Sequence, residues 1–324
     1  MEKFDYQKIC IDLISGLKER EKEIISRRFG LKGKERETLE SVGKNFGICR
    51  ERVRQIQKVS FGKIKPKTEK YQKVFRYFLN HLKNWGGLRK ENVLLEELGG
   101  KIENNEVYFL LTLQEPFQRF NKNDDFYSLW TIDENLYLLA KKAINSVFTQ
   151  LKKINKPLLL EKLNKSSLKE KALLSYLEVS KKIQKNEEDL YGLSDWPEIN
   201  PRGIKDKAYL VFKKACKPLH FSEVSNLVKD SHVQTVHNEL IKDDRFILVG
   251  RGIYALAEWG YYPGQVKDVI VKILQEAEES LTREEILEKV LKQRLIKKNT
   301  ILLNLSNKQY FLKDSEGRYK INEA

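Results

Sequence analysis

The sequence predicts a mainly α, multi-domain fold: an N-terminal helix-turn-helix bundle followed by tandem winged helices with small β-hairpin wings. Three observations predict it. The chain has 324 residues, more than one small core accommodates. Near its start, the stretch TLESVGKNFGICRERVRQIQKVSFGKIK (38–65) carries two helical patterns separated by a glycine turn. Downstream, helices followed by two short strands around a glycine recur about every 64 residues.

Residues 1–16 read as a helix with Phe4, Ile9, Leu13 and Ile14 apolar, and Ile24, Ile25 and Phe29 continue that stripe on a second helix. Core packing is their expected role. Thr38 suits an N-cap, because its hydroxyl can accept from the free N–H groups of the first helical turn. Leu39, Val42 and Phe46 then recur at helical spacing. Gly43 is small where a second helix must cross closely, and Gly47 can take the left-handed conformation that ends a helix. The next helix runs from about Arg50, with Val53 and Ile56 inward and Arg50, Glu51, Arg54, Gln55 and Lys58 outward. That outward set can reach base edges and phosphates in a major groove. From Lys44 to Lys70 there are nine bases against two acids, where a merely solvated helix would mix its signs. Phosphate neutralisation by Lys44, Arg52, Lys58, Lys63 and Lys65 is the simplest reason for the bias. Pro66 ends the basic helix, since the residue before a proline is pushed out of the helical region.

These residues carry a resemblance. Leu17 to Val59, and more loosely residues 10–65, resembles region 4 of the primary bacterial sigma factors. The matching pieces are Glu19-Arg20-Glu21, Arg28-Phe29-Gly30-Leu31, Thr38-Leu39-Glu40 and Arg50-Glu51-Arg52-Val53-Arg54-Gln55-Ile56. The resemblance implies that the second helix reads a −35-type promoter element, with Arg50, Glu51, Arg54 and Gln55 on the base-contacting positions. It also implies that the first part of the region grips the β flap of core RNA polymerase. The departure is Cys49, where the family usually caps the helix with Thr. The resemblance covers about a fifth of the chain, and the other sigma regions do not appear in the rest.

The tandem units show best at the C-terminal end. Thr235 and Thr300, Phe246 and Phe311, Gly252 and Gly317, and Tyr254 and Tyr319 share one offset, and Glu223 matches Glu285. Thr282 and Glu285 form a capping box. Upstream, Tyr127 and Tyr191 extend the series of Tyr254 and Tyr319 as second wing strands. The resulting organisation is a helix-turn-helix domain at 1–66, then winged units at 70–142, 143–196, 204–260 and 264–322. Trp196 to Gly203, with two prolines, reads as an ordered linker. The unit at 204–260 resembles the HARE-type winged helix, which also forms the folded part of the RNA polymerase delta subunit. Gln234, Thr235 and Asn238 on its third helix and Arg251 on its wing are candidate secondary DNA contacts. Lys297, Lys298, Asn299 and Thr300 take the corresponding place in the last unit. Leu210, Val211, Phe212, Val224, Leu227, Val236, Phe246 and Ile253 are expected in the core.

Charge agrees with a polyanion partner. The formal net charge is +15, and residues 1–70, with nineteen bases and eleven acids, hold over half of it. Cys10, Cys49 and Cys216 are sparse and unpaired in spacing, and His81, His220, His232 and His237 show no ligand pattern, so neither disulfides, metal nor cofactor is expected. No nucleophile–base spacing points to catalysis, no apolar run reaches the ~20 residues of a membrane span, and a cytoplasmic protein is expected. The expected function is a DNA-binding transcription regulator that binds double-stranded DNA and RNA polymerase. Two alternatives are a delta-like polymerase accessory factor acting through protein contacts and a DNA-targeting subunit of a restriction or modification system.

Overall fold

The computed structural model describes residues 4–31, 33, 35–100, 102–163, 168–228, 231–277 and 279–322. They form two compact units, residues 1–195 and 196–324. The chain is mainly helical, with small antiparallel sheets of two or three strands.

The first unit opens with helices α1 (Tyr6–Ile14), α2 (Glu19–Phe29), α3 (Leu39–Phe46) and α4 (Arg50–Ile64). Asp5 caps α1 by accepting from the Lys8 N–H at 2.8 Å. The α4 helix stops at Ile64, and Lys65–Tyr71 continues as a 3-10 turn with Pro66 near its start. Two segments follow, each with the order helix, strand, helix, helix, hairpin. The first is α5 (Gln72–Asn84), β1 (Leu88–Lys90), α6 (Glu91–Gly99), α7 (Asn104–Leu113), β2 (Gln118–Phe120) and β3 (Leu129–Thr131). The second is α8 (Glu134–Ile154), β4 (Leu158–Leu159), α9 (Leu160–Leu163), α10 (Glu170–Val179), β5 (Ile183–Lys185) and β6 (Leu190–Leu193).

In the second unit the order recurs twice. One segment is α11 (Gly203–Ala215), β7 (Leu219–His220), α12 (Phe221–Leu227), α13 (Val233–Lys242), β8 (Phe246–Gly250) and β9 (Ile253–Leu256). The other is α14 (Val266–Glu276), α15 (Arg283–Gln293), α16 (Lys298–Leu305), β10 (Phe311–Lys313) and β11 (Tyr319–Ile321), with a single antiparallel bridge from Leu281 to Tyr319 in place of the first strand. In each three-stranded sheet the first strand pairs with the last: β1-β3-β2, β4-β6-β5 and β7-β9-β8.

Register corrects the tyrosine series. The first strand sets Leu158 opposite Tyr191, Leu219 opposite Tyr254 and Leu281 opposite Tyr319. In the first segment the residue one before the helix cap is Arg89, and its partner is Trp130, not Tyr127. Tyr127 lies before β3, and its N–H donates to the Val179 carbonyl at 2.9 Å. Leu227, expected in the core, is 59% exposed, because it ends the short helix α12 on its outer side.

One apolar core continues across residue 66. Tyr6, Leu13, Ile25, Phe29 and Leu31 belong to the same cluster as Ile64, Phe75, Phe78, Phe109, Leu110 and Trp130. Helix α7 makes this possible, because its apolar residues point both ways: Val107, Phe109, Leu110, Leu111 and Leu113 are all buried. Phe109 meets Phe29 edge-on at 5.1 Å between ring centroids. Polar bonds cross the same seam: Asn105 Nδ2 donates to the Gly30 carbonyl at 3.0 Å, and Tyr71 Oη donates to Asp12 at 2.6 Å.

Candidate nucleic-acid interface

The two helices α3 and α4 are set by local chemistry. Thr38 Oγ1 accepts from the Ser41 N–H at 3.1 Å and caps α3. Gly47 closes it at φ 63, a left-handed conformation that glycine adopts without a side-chain clash. A Cβ on Gly43 would stand 2.5 Å from the Ile48 carbonyl oxygen, so only glycine lets the turn pass this close. Cys49 occupies the N-cap of α4 without a side-chain cap bond. A small core of Ile24, Val42 and Val53, flanked by Leu39, Phe46, Ile48 and Ile56, fixes the angle between the helices.

That packing leaves the opposite face of α4 open. Arg50, Glu51, Arg52, Arg54, Gln55 and Lys58 are all exposed on one helix, as the spacing predicts. The face is partly pre-paired. Arg54 holds Glu51 at 2.7 Å, with side chains 60% and 54% exposed, and Arg52 donates to Gln55 Oε1 at 3.1 Å. The hydrogen bond from Arg54 lowers the Glu51 carboxyl below its ordinary pKa, and the same bond raises Arg54. Both groups stay charged near neutrality, and the pair orients the guanidinium fork before any ligand arrives. Lys44 sits 3.2 Å from Glu40. Among the described residues, Arg50, Lys58 and Lys65 make no ion pair. Lys63 is committed elsewhere: its Nζ bonds both Glu21 oxygens, at 2.7 and 2.9 Å, and ties α4 to α2. The Lys63 bond lowers the Glu21 carboxyl, which burial alone would raise.

In the second unit Gln234, Thr235 and Asn238 are exposed on α13, with Gln234 Nε2 3.2 Å from Asn238 Oδ1, and Arg251 is exposed at the β8–β9 turn. His237 instead stacks on Phe221 at 4.3 Å and serves packing. Lys297, Lys298, Asn299 and Thr300 are exposed at the start of α16. Among the described residues no cluster of His, Cys, Asp and Glu could hold a metal, and no helix is long and apolar enough to cross a membrane.

Comparison with known proteins agrees on the N-terminal part. Residues 13–65 match the family "Sigma-70, region 4". A stretch of 54 residues is 44% identical to RNA polymerase sigma factor SigA of Bacillus sp, covering 17% of this chain and 14% of that protein. The chain therefore carries a sigma region 4-like helix-turn-helix, and this match spans only a small part of the sigma factor's own length. The exposed face of α4 and the buried pair Val42 and Val53 both lie inside the matched residues.

Sequence reasoning missed the buried charge cluster beside the first segment's sheet. Arg89, with its side chain 3% exposed, lies 3.6 Å over the Trp85 ring and bonds both Glu97 and Glu178. His81 Nε2 stands 2.9 Å from Glu97. Burial pushes the Glu97 carboxyl up, but bonds from His81 and Arg89 outweigh it and lower the group to about 2. Glu178 moves the opposite way: burial raises it, and the nearby charge of Glu97 adds to that. The two differ because hydrogen bonds from His81 and Arg89 outweigh burial at Glu97, whereas burial dominates at Glu178. The cluster joins the first segment to α10 of the next and lies away from α4.

Proposed function

We propose that this chain is a sequence-specific DNA-binding transcription regulator that reads a −35-like promoter element with α4. The observation that carries the proposal is the open face of α4, with Arg50, Glu51, Arg54 and Gln55 exposed on a helix-turn-helix matched to sigma region 4. Arg50 and Arg54 suit guanine edges, Gln55 suits adenine, and Glu51 accepts from a cytosine amino group. Lys44, Arg52, Lys58 and Lys65 serve as phosphate contacts, which fix register without reading sequence. Lys63 joins them only by leaving Glu21. Gln234, Thr235, Asn238 and Arg251 are secondary contacts on flanking duplex. No catalytic step, metal or cofactor is part of the proposal.

Association with RNA polymerase is its second half. In the part that the resemblance assigns to the β flap, Ile24, Ile25 and Phe29 are core residues, 0%, 0% and 3% exposed, and offer no groove. Polymerase contact then falls to the tandem segments, which we take to be winged helices of the HARE and delta type. Their repeated order also favours a second reading, a delta-like accessory factor acting through protein contacts. A role as the targeting subunit of a restriction or modification enzyme is a third.

Selection of bound duplexes from a random pool by the full chain tests the first reading, and a TTGACA-like consensus is the expected result. Recovery of random sequences, together with capture of nuclease-treated core polymerase, would replace it with the accessory reading.

A further inference from the structure

A cleft of about 490 Å³ lies where the loop before α3 meets the first segment's hairpin. Three cations converge on it: Arg36 from that loop, Lys90 from the cap of α6, and Lys122 from the β2–β3 connection. Two of these cations rest on aromatic faces. The Arg36 guanidinium lies 4.2 Å over the Tyr108 ring. Lys90 Nζ lies 3.8 Å over the Tyr127 ring, with Lys181 on the same ring at 5.7 Å. The Lys122 N–H donates to Ser128 Oγ at 3.1 Å, which fixes the connection. Two carboxylates also line the cleft. Glu91 is already occupied: it holds Arg119, and it accepts from the Trp130 indole N–H at 3.1 Å. Glu96 sits exposed at the edge. With Glu91 neutralised, the cations outnumber the remaining acid.

We infer that this cleft takes a phosphoryl group, namely a backbone phosphate of the duplex beside the stretch read by α4, an assignment that rests on the reading of α4 as a duplex-binding helix. Arg36 stands two residues before Thr38, the cap of α3, and the first helix of a helix-turn-helix is the one that crosses the backbone. The cleft therefore extends the cationic surface from α3 onto the tandem segment. Guanidinium and ammonium groups around a roomy, mostly solvated opening suit a diffuse anion rather than a neutral ligand. The inference also explains why cations rest on aromatic faces here. Stacking positions Arg36 and Lys90 without consuming their charge in an ion pair.

The test uses the full chain carrying Arg36→Gln and Lys122→Gln, both at exposed positions, with thermal melting to verify the fold. Affinity is measured for a duplex trimmed to the α4 site and for one longer by a helical turn on each side. The expected result is roughly a tenfold loss on the long duplex, a salt slope reduced by about 2, and unchanged base preference. Equal affinity and equal slope for wild type and variant overturn the inference. Lys122→Glu, a charge reversal at the same place, should deepen the loss, and its failure to do so also overturns it. Gln55→Ala serves as the independent control on α4. If it leaves base preference untouched while the cleft variant still loses affinity, the reading of α4 fails and the cleft stands. Titration with pyrophosphate separates the sources: saturable binding lost in the cleft variant, with no change on duplex, assigns the cleft to a free phosphate ester and overturns the duplex assignment.

Discussion

Helices α1 and α2 and the end of α4 share one apolar core with the segment after them, whereas the two segments of the second unit keep separate ones around Phe212 and around Ile270. Helix α4 is held at both ends by different means. Its first half rests on the small cluster of Ile24, Val42 and Val53, while Phe61 and Ile64 anchor its end against Phe29 and Phe109. On the proposed reading, α4 must meet bases closely, and such a large rigid seat suits that role. Each segment of the second unit buries its own face.

The sharpest way to break this comparison is to remove Phe109. Phe109→Ala, at a fully buried position, should cost about 3–5 kcal/mol and lower the population competent for duplex binding. Phe212→Ala, equally buried, should cost a similar amount by denaturant titration yet leave duplex affinity of the folded protein unchanged. A fragment ending at residue 70 loses the partners of Phe29 and Phe61 and should show no cooperative unfolding, whereas one ending at residue 195 should. A folded, DNA-binding fragment 1–70 would refute the shared core.

Next in size is the Arg89 joint. Arg89→Ala leaves Glu97 and Glu178 facing each other without their cation and should cost about 3–5 kcal/mol. The joint also sets an acid limit. The folded Glu97 carboxyl, lowered to about 2, lies below its unfolded value. Its contribution is thus present in full above the unfolded carboxylate range and drains away as pH falls toward about 2. Glu178, raised, has the opposite sign and favours the fold on its protonated side. Glu97→Gln should therefore flatten the acid limb of stability against pH, and an unaltered limb would show that other carboxylates govern it.

Much of the helix-turn-helix was legible because its determinants are local. A cap at Thr38, a left-handed glycine at 47 and inward Val42 and Val53 all act within one or two turns. The shared core was not, although the all-round apolar character of α7 signalled burial, because nothing local names the helices it meets. The Trp130 register was hidden by the long β2–β3 connection, which moves the wing strand relative to a constant repeat. The Lys63 pairing was hidden for a similar reason: its partner Glu21 lies 42 residues away in sequence. Charge shows that a side chain seeks an opposite charge, not which one it finds.

Within the reading face, smaller effects separate readers from anchors. Arg54→Ala should cost about 1–3 kcal/mol of specific binding and relax base preference at one position, read by competition between matched and mismatched duplexes. Equal losses on specific and random duplex would place Arg54 among the phosphate contacts. Lys58→Ala should weaken all sequences alike and lower the salt slope by about 1.

The smallest effect lies in the contrast between the two caps. Thr38 gives its hydroxyl to the Ser41 N–H, while exposed Cys49, with the same extended backbone at φ -72 and ψ 155, gives nothing to the first turn of α4. That turn carries Arg50 and Glu51. Cys49→Thr supplies the missing acceptor without changing the backbone and should stabilise the chain by about 1 kcal/mol in denaturant titration. It should also slow amide exchange at residues 51 and 52, the two N–H groups that a cap at this position serves. If stability rises and exchange there does not slow, the gain comes from removing the thiol rather than from capping, and the start of α4 is then held by the Ile24–Val53 contact alone.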